Sequence, residues 1–269
     1  MPDPAQTDLD GDGIGDACDP DRDGDGLPNE LDLCPDRDSA ARPTRTGDGI
    51  IDDCDACPLD ADPAQPNADG DRLGDACEDE DPTRFARVAF LATFASSLDG
   101  FTASDSVSLG DGSVRVETSG NRTLLRPEDP DHPGSYVVHV RGRYNGPEGT
   151  FADGTFAVLL RWNGDRGYGM GLRAEDDEAE ISRVDGGGCG WFGGATCIES
   201  LASNGASCPD GTDFALRATA FGRALTFDAR LGSSRLVQRA DDDVYATGGV
   251  GLFVEQADVR FDAIAIYAP

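Results

Sequence analysis

Near the start of the chain aspartates recur at every second position, and this spacing is the first chemistry the sequence offers. A calcium loop of twelve residues takes oxygen ligands from positions 1, 3, 5, 7, 9 and 12 and turns sharply at a glycine in position 6. The stretch from Asp8 supplies Asp8, Asp10, Asp12, the Ile14 carbonyl, Asp16 and Asp19, with Gly13 at the turn. The stretch from Asp21 supplies Asp21, Asp23, Asp25, the Leu27 carbonyl, Asn29 and Asp32, with Gly26 at the turn. Carboxylates at alternate positions converge on one ion because the loop curls around it. An all-oxygen cage of this kind suits calcium better than magnesium, which demands a small octahedral shell and keeps its waters.

Two further stretches match less fully. From Thr44 the pattern keeps Asp48, Ile50, Asp52 and Asp55, but Thr44 and Thr46 replace the early carboxylates. From Asn67 it reads Asn67, Asp69, Asp71, Leu73, Asp75 and Glu78, with Arg72 in place of the turn glycine. Only Pro20 separates the first loop from the second, so no helix fits between them. Helix-flanked calcium motifs are excluded, and the loops are expected to pack against one another, with metal in place of a hydrophobic core. The competing reading of an Asp-rich run is a solvated acidic linker; two complete loops in register argue against it.

Charge bounds the partners. The chain has 269 residues and a formal net charge of −30. Residues 1–83 hold 26 of its 52 acidic side chains and 5 of its 22 basic ones, a net −21. Such a segment cannot bury enough apolar surface to offset its ordering entropy unless something neutralises it. Nucleic acid and anionic membrane would be repelled, whereas several calcium ions are the natural counterpart. The eight cysteines beside two histidines, His132 and His139, fit disulfides better than zinc and imply an oxidising compartment. The chain opens MPDPAQTDLDGDG with no leader and no membrane-spanning run, so an export signal is expected upstream.

The stretches QTDLDGDGIGDACDPDRDGDGLPNELDLCP and CPLDADPAQPNADGDRLGDAC resemble thrombospondin type 3 repeats over roughly residues 3–82. That resemblance implies chain wrapped around several calcium ions, with disulfides linking the repeats. Cys34 and Cys54 are twenty residues apart, as are Cys57 and Cys77. Those two pairings are favoured, each stabilising by about 3 kcal/mol if chain entropy dominates. They leave Cys18 without a partner. The rival arrangement joins Cys18 to Cys34 and clips Cys54 to Cys57, and spacing does not choose between them.

After about Arg87 the texture changes to short alternating runs: SVRVET, SYVVHVRGRY, TFAVLLRW, YGMGLR, AEISRV, DFALRATAF, ALTFDARL, VGLFVE and VRFDAIAIY. About ten strands in this length, with no helical period, predict an all-β double-sheet sandwich of the jelly-roll type. The order of these runs resembles a concanavalin A-like, laminin-G-like sandwich. The domains are therefore read as 1–83, an irregular calcium-wrapped stalk lacking regular secondary structure, and 84–269, the sandwich. That superfamily includes lectins, adhesion modules and glycoside hydrolases, so fold alone does not decide function.

Glu175, Asp177 and Glu180 match the E-x-D-x-x-E spacing of one retaining-glycosidase family, but AEDDEAEI lies between two strands and reads as a hairpin turn. No catalytic residue is assigned. A ligand platform is sought at Trp191 and Phe192, in a glycine-rich loop tethered among Cys189, Cys197 and Cys208, and at Trp162 and Tyr168 around a turn. For each aromatic the competing reading is core or rim packing. The expected protein is secreted, on the cell surface or periplasmic, a rigid calcium-stabilised stalk presenting a sandwich for adhesion or glycan recognition. Its partners are calcium and either glycans or surface proteins, without membrane insertion. The alternatives are a polysaccharide hydrolase and a passive module of an envelope protein.

Overall fold

The computed structural model describes residues 7–24, 26, 28–29, 35–36, 46–51, 54–68, 73–77, 87–92, 94, 98, 100–104, 107–110, 112–118, 122–127, 134–147, 154–174, 176–186 and 198–268. The chain divides into two compact units, Met1–Glu78 and Asp79–Pro269.

Among its described residues the first unit holds turns and bends with no helix or strand. One backbone closure repeats through it. The N–H of loop position 9 donates to the carbonyl just before the loop: Asp16 to Thr7 at 2.9 Å, Asn29 to Pro20 at 2.8 Å, Asp75 to Pro66 at 2.8 Å. The side chain of the same residue accepts the N–H of position 2, pairing Asp16 with Leu9, Asn29 with Arg22 and Asp75 with Ala68 at 2.7–3.0 Å. Glycines at positions 4 and 6 take left-handed backbone in three loops: Gly11, Gly24 and Gly47 at φ 71–77°, Gly13, Gly26 and Gly49 at φ 95–96°. Residues with a side chain rarely adopt that conformation, which explains the spacing of these glycines.

Metal does not wholly replace an apolar interior here. Ile50, Ile51, Leu59 and Leu73 are buried, as are Cys57 and Cys77, which form a disulfide with Cα atoms 5.4 Å apart. That pairing excludes the Cys54–Cys57 clip. Cys54 is also disulfide-bonded, Cys18 is an exposed free thiol, and Cys34 lies outside the described residues.

The second unit is all β. Its strands are β1 (Arg87–Ala92), β2 (Phe101–Ala103), β3 (Ser108–Gly110), β4 (Ser113–Glu117), β5 (Arg122–Pro127), β6 (Tyr136–Pro147), β7 (Thr155–Asn163) and β8 (Arg166–Arg173). They continue as β9 (Glu178–Asp185), β10 (Ile198–Gly205), β11 (Thr212–Phe221), β12 (Ala224–Leu231), β13 (Ser234–Asp241), β14 (Gly249–Glu255) and β15 (Ala257–Ala268). One sheet runs β13-β12-β11-β6-β15-β4-β3, with β1 also paired to β15; the other runs β10-β9-β8-β7-β14-β5-β2. Among the described residues the strand pairings are antiparallel, and the second unit forms the two-sheet sandwich that its alternating runs predict.

Alternation feeds one face of each sheet into a shared core. From the first sheet come Val138 and Val140 on β6 and Phe214 and Leu216 on β11; from the second come Phe156 and Val158 on β7 and Met170 on β8. Phe214 sits 4.7 Å from Phe156 and 6.1 Å from Phe261, centroid to centroid. Gly142 makes room for this cluster, since a Cβ there would lie 2.7 Å from the Phe214 ring and 2.2 Å from the Arg260 carbonyl. The strands that the sequence pattern left out, β1, β2, β3, β5, β10 and β13, are mostly short or lie at sheet edges. Edge strands bury one side only and carry polar residues, as SRLVQRAD and IESLASNG do, so their alternation is faint.

One residue closes an end of the sandwich. Arg161 is 1% exposed and has φ 50°, at a register shift in β7. Its guanidinium donates to the carbonyls of Gly134 at 3.1 Å, Tyr245 at 3.0 Å and Gly222 at 2.7 Å. These belong to three segments far apart in sequence, so a single side chain ties them together. Its backbone N–H donates to the Tyr136 hydroxyl at 2.6 Å.

On the other face of the first sheet, His139 is 4% exposed, opposite Arg217 on β11 and Ala265 on β15. Burial, then the charges of Arg217, Arg141 and Arg230, hold its pKa down to about 3 against the opposing pull of Asp228. The unfolded chain takes up this proton near pH 6.5, so between the two values unfolding is accompanied by proton uptake. Stability is therefore complete above about 6.5 and lost as pH falls. Between pH 7 and pH 5 the sandwich is expected to lose about 2 kcal/mol. Urea titrations followed by tryptophan fluorescence check this, since both tryptophans, Trp162 and Trp191, belong to the second unit. In His139→Gln the loss between those pH values should vanish; an equal loss in the variant would rule out His139 as its source.

Candidate functional site

In the first loop, ligand atoms of Asp8, Asp10 and Asp12 lie within 4.8 Å of one another. The loop presents them by bonding their spare oxygens to its own backbone. Asp8 accepts the N–H of Gly11 at 2.9 Å and of Gly13 at 3.1 Å, Asp10 that of Asp12 at 3.0 Å, and Asp12 that of Ile14 at 2.7 Å. Asp21 repeats the Asp8 bond by accepting from Gly26 at 3.1 Å. Asp10 reaches the next loop: a Cβ on Gly24 would lie 2.7 Å from its carboxylate. The Asp12 N–H lowers the Asp10 pKa, yet desolvation and the charges of Asp12, Asp19 and Asp8 outweigh it and raise the carboxyl above its ordinary value.

Asp19 joins the first loop to the second. It accepts the Asp21 N–H at 2.8 Å, and its own carbonyl accepts from the Asn29 amide at 2.6 Å. Asp19 Oδ2 and Asp21 Oδ1 are buried with no hydrogen-bond partner among the described residues. A buried carboxylate oxygen without a donor is costly unless a cation supplies the missing charge. Asp23 is buried, while Asp25, Leu27 and Asp32 lie outside the described residues.

The third loop keeps its geometry despite its threonines. The Thr46 hydroxyl takes the place of the Asp10 carboxylate, accepting the Asp48 N–H at 3.5 Å, and Asp48 accepts from Ile50 at 2.9 Å. Asp62, outside every twelve-residue window, joins this site by donating its N–H to Asp48 at 2.8 Å. Gln65 then donates to Asp55 at 2.8 Å. Asp55 Oδ2 and Asp62 Oδ2 are buried without partners among the described residues. Burial, then the charges of Asp48 and Asp62, push the Asp55 carboxyl up to about 6, with bonds from Cys57 and Gln65 opposing. The Asp60-Ala61-Asp62 alternation beside the loop was the available signal for Asp62. Asp52, Asp69, Asp71 and Glu78 lie outside the described residues; Asn67 is exposed and Leu73 fully buried.

Hard oxygen donors, aligned carboxylates and orphaned buried oxygens together fit a hard divalent cation. Asp8, Asp10, Asp12, Asp19 and Asp21 would hold it in the first two loops, and Asp48, Asp55 and Asp62 in the third. The ion would supply charge neutralisation and a fixed centre for the loop to close on.

The second unit carries a different kind of site on the outer face of the second sheet. Ala157, Leu159, Val184 and Phe253 form a separate apolar cluster there, with Leu124, Trp162 and Ile198 packed at its margin. Along β8 the outward positions are Gly167, Gly169 and Gly171, which register against Val184, Ser182 and Glu180 on β9. Across the strip, Gly169 faces Leu159 and Gly171 faces Ala157 on β7. The result is a strip of glycines between apolar groups on one side and a serine and a carboxylate on the other, all of it buried; a Cβ at Gly167 or Gly171 would meet backbone or the Ala157 side chain within 2.9 Å, so the strands approach closely here. Ser182 is 0% exposed and its Oγ has no partner among the described residues; Glu180 is 6% exposed.

The aromatic candidates divide. Trp162 is half-buried against this cluster, its Nε1 donating to the Gly164 carbonyl at 3.0 Å. Tyr168, expected as a ligand contact, is a core residue at 0% exposure that donates to Asp242 at 2.6 Å. Its side chain alternates with the outward glycines on either side, which sends it inward. Trp191 and Phe192 lie outside the described residues, as do Cys189 and Cys197; Cys208 is a buried free thiol, so it takes no part in a tether. Asp177 lies in the β8–β9 turn with φ 50° while Glu180 lies on β9, and Glu175 is outside the described residues. The hairpin reading of AEDDEAEI matches this geometry.

Acidic loops with the spacing of calcium ligands, followed by a two-sheet sandwich, define a modular protein of short repeats and a β-sandwich. Residues 7–41 match the thrombospondin type 3 repeat. Cartilage oligomeric matrix protein of Mus musculus is 57% identical over 35 residues, which are 13% of this chain and 5% of that protein, so the likeness is confined to the repeat. The sandwich is similar in fold to the carbohydrate-binding module CBM66 from Bacillus subtilis, at TM-score 0.50 and 16% identity, over 63% of this chain and 96% of that one. It is similar also to the VIP36 exoplasmic/lumenal domain in its Ca2+/Man3GlcNAc-bound form, at TM-score 0.52 and 12% identity, over 66% and 88%. A third likeness is to xylan beta-1,4-xylosidase from Bacillus halodurans C-125, at TM-score 0.51 and 11% identity, over 68% and 40%. At these identities the likenesses establish a concanavalin A-like fold.

Proposed function

We propose that this chain is an exported calcium-binding protein whose repeats are stiffened by several calcium ions and whose sandwich recognises glycans, in the setting of adhesion. The observation that carries the reading is the set of buried carboxylate oxygens without partners among the described residues, Asp19 Oδ2, Asp21 Oδ1, Asp55 Oδ2 and Asp62 Oδ2, in loops of calcium-ligand spacing on a chain that also folds a two-sheet sandwich. Two of the fold neighbours support the reading: one is a carbohydrate-binding module, the other a domain in a Ca2+/Man3GlcNAc-bound form. The Cys57–Cys77 disulfide supports a secreted, cell-surface or periplasmic location, because such bonds persist in oxidising compartments. Among the described residues no helix is long and apolar enough to cross a membrane. A binding role is favoured over hydrolysis, since Glu178, which shares the outer face with Glu180, is engaged by Arg173.

A glycan array probed with the full chain in calcium and again in chelator tests this. Binding in calcium is the expected result. Loss with chelator would tie recognition to the calcium state, and survival would place it wholly in the sandwich. Binding to no glycan in either buffer would overturn the reading and favour a protein partner or a passive envelope module.

A further inference from the structure

Among the described residues one long, regular sheet edge of the sandwich lacks a neighbouring strand. We propose that this edge, β13, joins two copies of the chain, each β13 pairing antiparallel with the other about a two-fold axis at Gln238. β13 ends the order of the first sheet, and no described strand pairs with it on the side away from β12. A strand edge presents unpaired N–H and C=O groups, which natural sheets blunt with short strands, bulges, proline or charge. The other edges follow that practice: β2 and β3 are three residues long, and β1 and β10 carry register shifts. β13 spans eight residues without proline and pairs with β12 without a shift. Its charges would deter an unmatched strand, but they match a second copy of β13.

The hairpin before it fixes which groups face the edge. β12 and β13 are joined by a two-residue turn with Gly232 at φ 57°, so Leu231 and Ser234 close the ladder as a hydrogen-bonded pair. Even-numbered residues of β13 therefore bond to β12, a parity that continues where Asp242 donates to the Arg223 carbonyl at 2.9 Å. Arg235, Val237, Arg239 and Asp241 turn their N–H and C=O groups the other way, and all four residues are exposed. Leu236 and Ala240 pack on the core and Gln238 donates to the Ala179 carbonyl at 2.8 Å, so the strand is held in place from its inner side.

Charge selects the register. With the axis at Gln238, Arg235 of each copy faces Asp241 of the other, and Val237 faces Arg239. Moving the axis to Val237 sets Arg235 against Arg239, and moving it to Arg239 sets that residue against itself. Like charges directly opposite destabilise a sheet. Asp228 already steadies Arg235, accepting from its Nε at 3.0 Å, and a guanidinium has five donors, so it can hold a second carboxylate. Two sandwiches joined this way form a bivalent unit, which binds a repeated ligand with avidity.

Sedimentation equilibrium of the full chain in calcium tests this in a Cys18→Ser background, which removes the exposed free thiol as a rival link. A monomer–dimer equilibrium is expected, with a dissociation constant below about 0.1 mM. Val237→Pro removes an N–H that faces the edge and none that faces β12. It should weaken the dimer tenfold or more while leaving the urea midpoint of the sandwich nearly unchanged. Asp241→Arg should also weaken it at least tenfold, by setting arginine against Arg235; adding Arg235→Glu exchanges the pair and should restore the affinity to within threefold. Asp241 is exposed, so Asp241→Arg serves if another variant does not fold. Monomer alone at about 0.2 mM would overturn the proposal. A dimer left intact by Val237→Pro or by Asp241→Arg would overturn it too, because the contact would then lie elsewhere. So would a folded exchanged pair, judged by native tryptophan fluorescence, that stays as weak as Asp241→Arg alone.

Discussion

Removing calcium from the full chain is expected to swell the first unit while the sandwich stays folded. Residues 1–83 carry a net −21, and the carboxylates of Asp8, Asp10 and Asp12 crowd within 4.8 Å. Like charges held this close repel one another unless a cation neutralises them. At Asp55 burial, then the charges of Asp48 and Asp62, push the carboxyl up to about 6. Each bound ion stabilises the folded loops by about 2.7 kcal/mol when calcium is a hundredfold above its dissociation constant. Losing several such contributions leaves few buried side chains, Leu59 and Leu73 among them, to hold the unit together. The Cys57–Cys77 bond limits the expansion without preventing it. Small-angle scattering should show a larger radius of gyration in chelator, reversed by added calcium, while tryptophan fluorescence from the second unit stays native. An unchanged scattering profile would refute metal-dependent folding.

The second large effect is expected at Arg161. Its guanidinium satisfies the carbonyls of Gly134, Gly222 and Tyr245 at the end of the sandwich. Hydrogen bonds to charged donors are worth more than neutral ones, and stranding several buried acceptors at once adds their desolvation penalty. Arg161→Met keeps most of the side-chain volume and removes every donor beyond the backbone. A loss of at least about 3 kcal/mol is expected, read as a lower urea midpoint at pH 7 by tryptophan fluorescence. Calcium should not rescue it, because the tie lies wholly in the second unit. A change within about 0.5 kcal/mol, the range of ordinary surface substitutions, would mean that the three segments hold their places without it.

These two sites differ in how far the sequence reveals them. A calcium loop closes on itself: the turn glycine, the alternating carboxylates and the bond from position 9 to the residue before the loop fall within thirteen residues. Residue types at fixed offsets therefore carry the geometry, and Asp8 to Asp19 and Asp21 to Asn29 take shape as their spacing implies. The third loop shows how tolerant this logic is, since Gly47 and Gly49 hold the same backbone although Thr46 stands in for an aspartate. Asp62 escaped because it enters from beyond the window, through its backbone N–H to Asp48.

In the sandwich, strand alternation was legible wherever both faces of a strand differed in polarity, as in SVRVE and ALTFDARL. It failed where the register shifts. Within β15 the inward residues pass from Val259 and Phe261 to Ile264 and Ile266 across a bulge, which reverses the parity that a two-residue period assumes. Tyr168 looked like a rim aromatic because its turn is polar; only its pairing between outward glycines shows that it points into the core.

The sequence by itself determined the turn-built loops with their glycine positions and the all-β class, because each depends on contacts local in the chain or on a simple period; it offered Cys57–Cys77 as one of two arrangements, and the structure chose it. Tertiary structure alone decided that Glu180 and Ser182 would border the β8 glycines, that Arg161 would gather three distant segments, and that Asp62 would complete the third loop. Those juxtapositions join residues tens of positions apart or set strand parity through a bulge, and no pattern along the chain encodes which strand lies beside which.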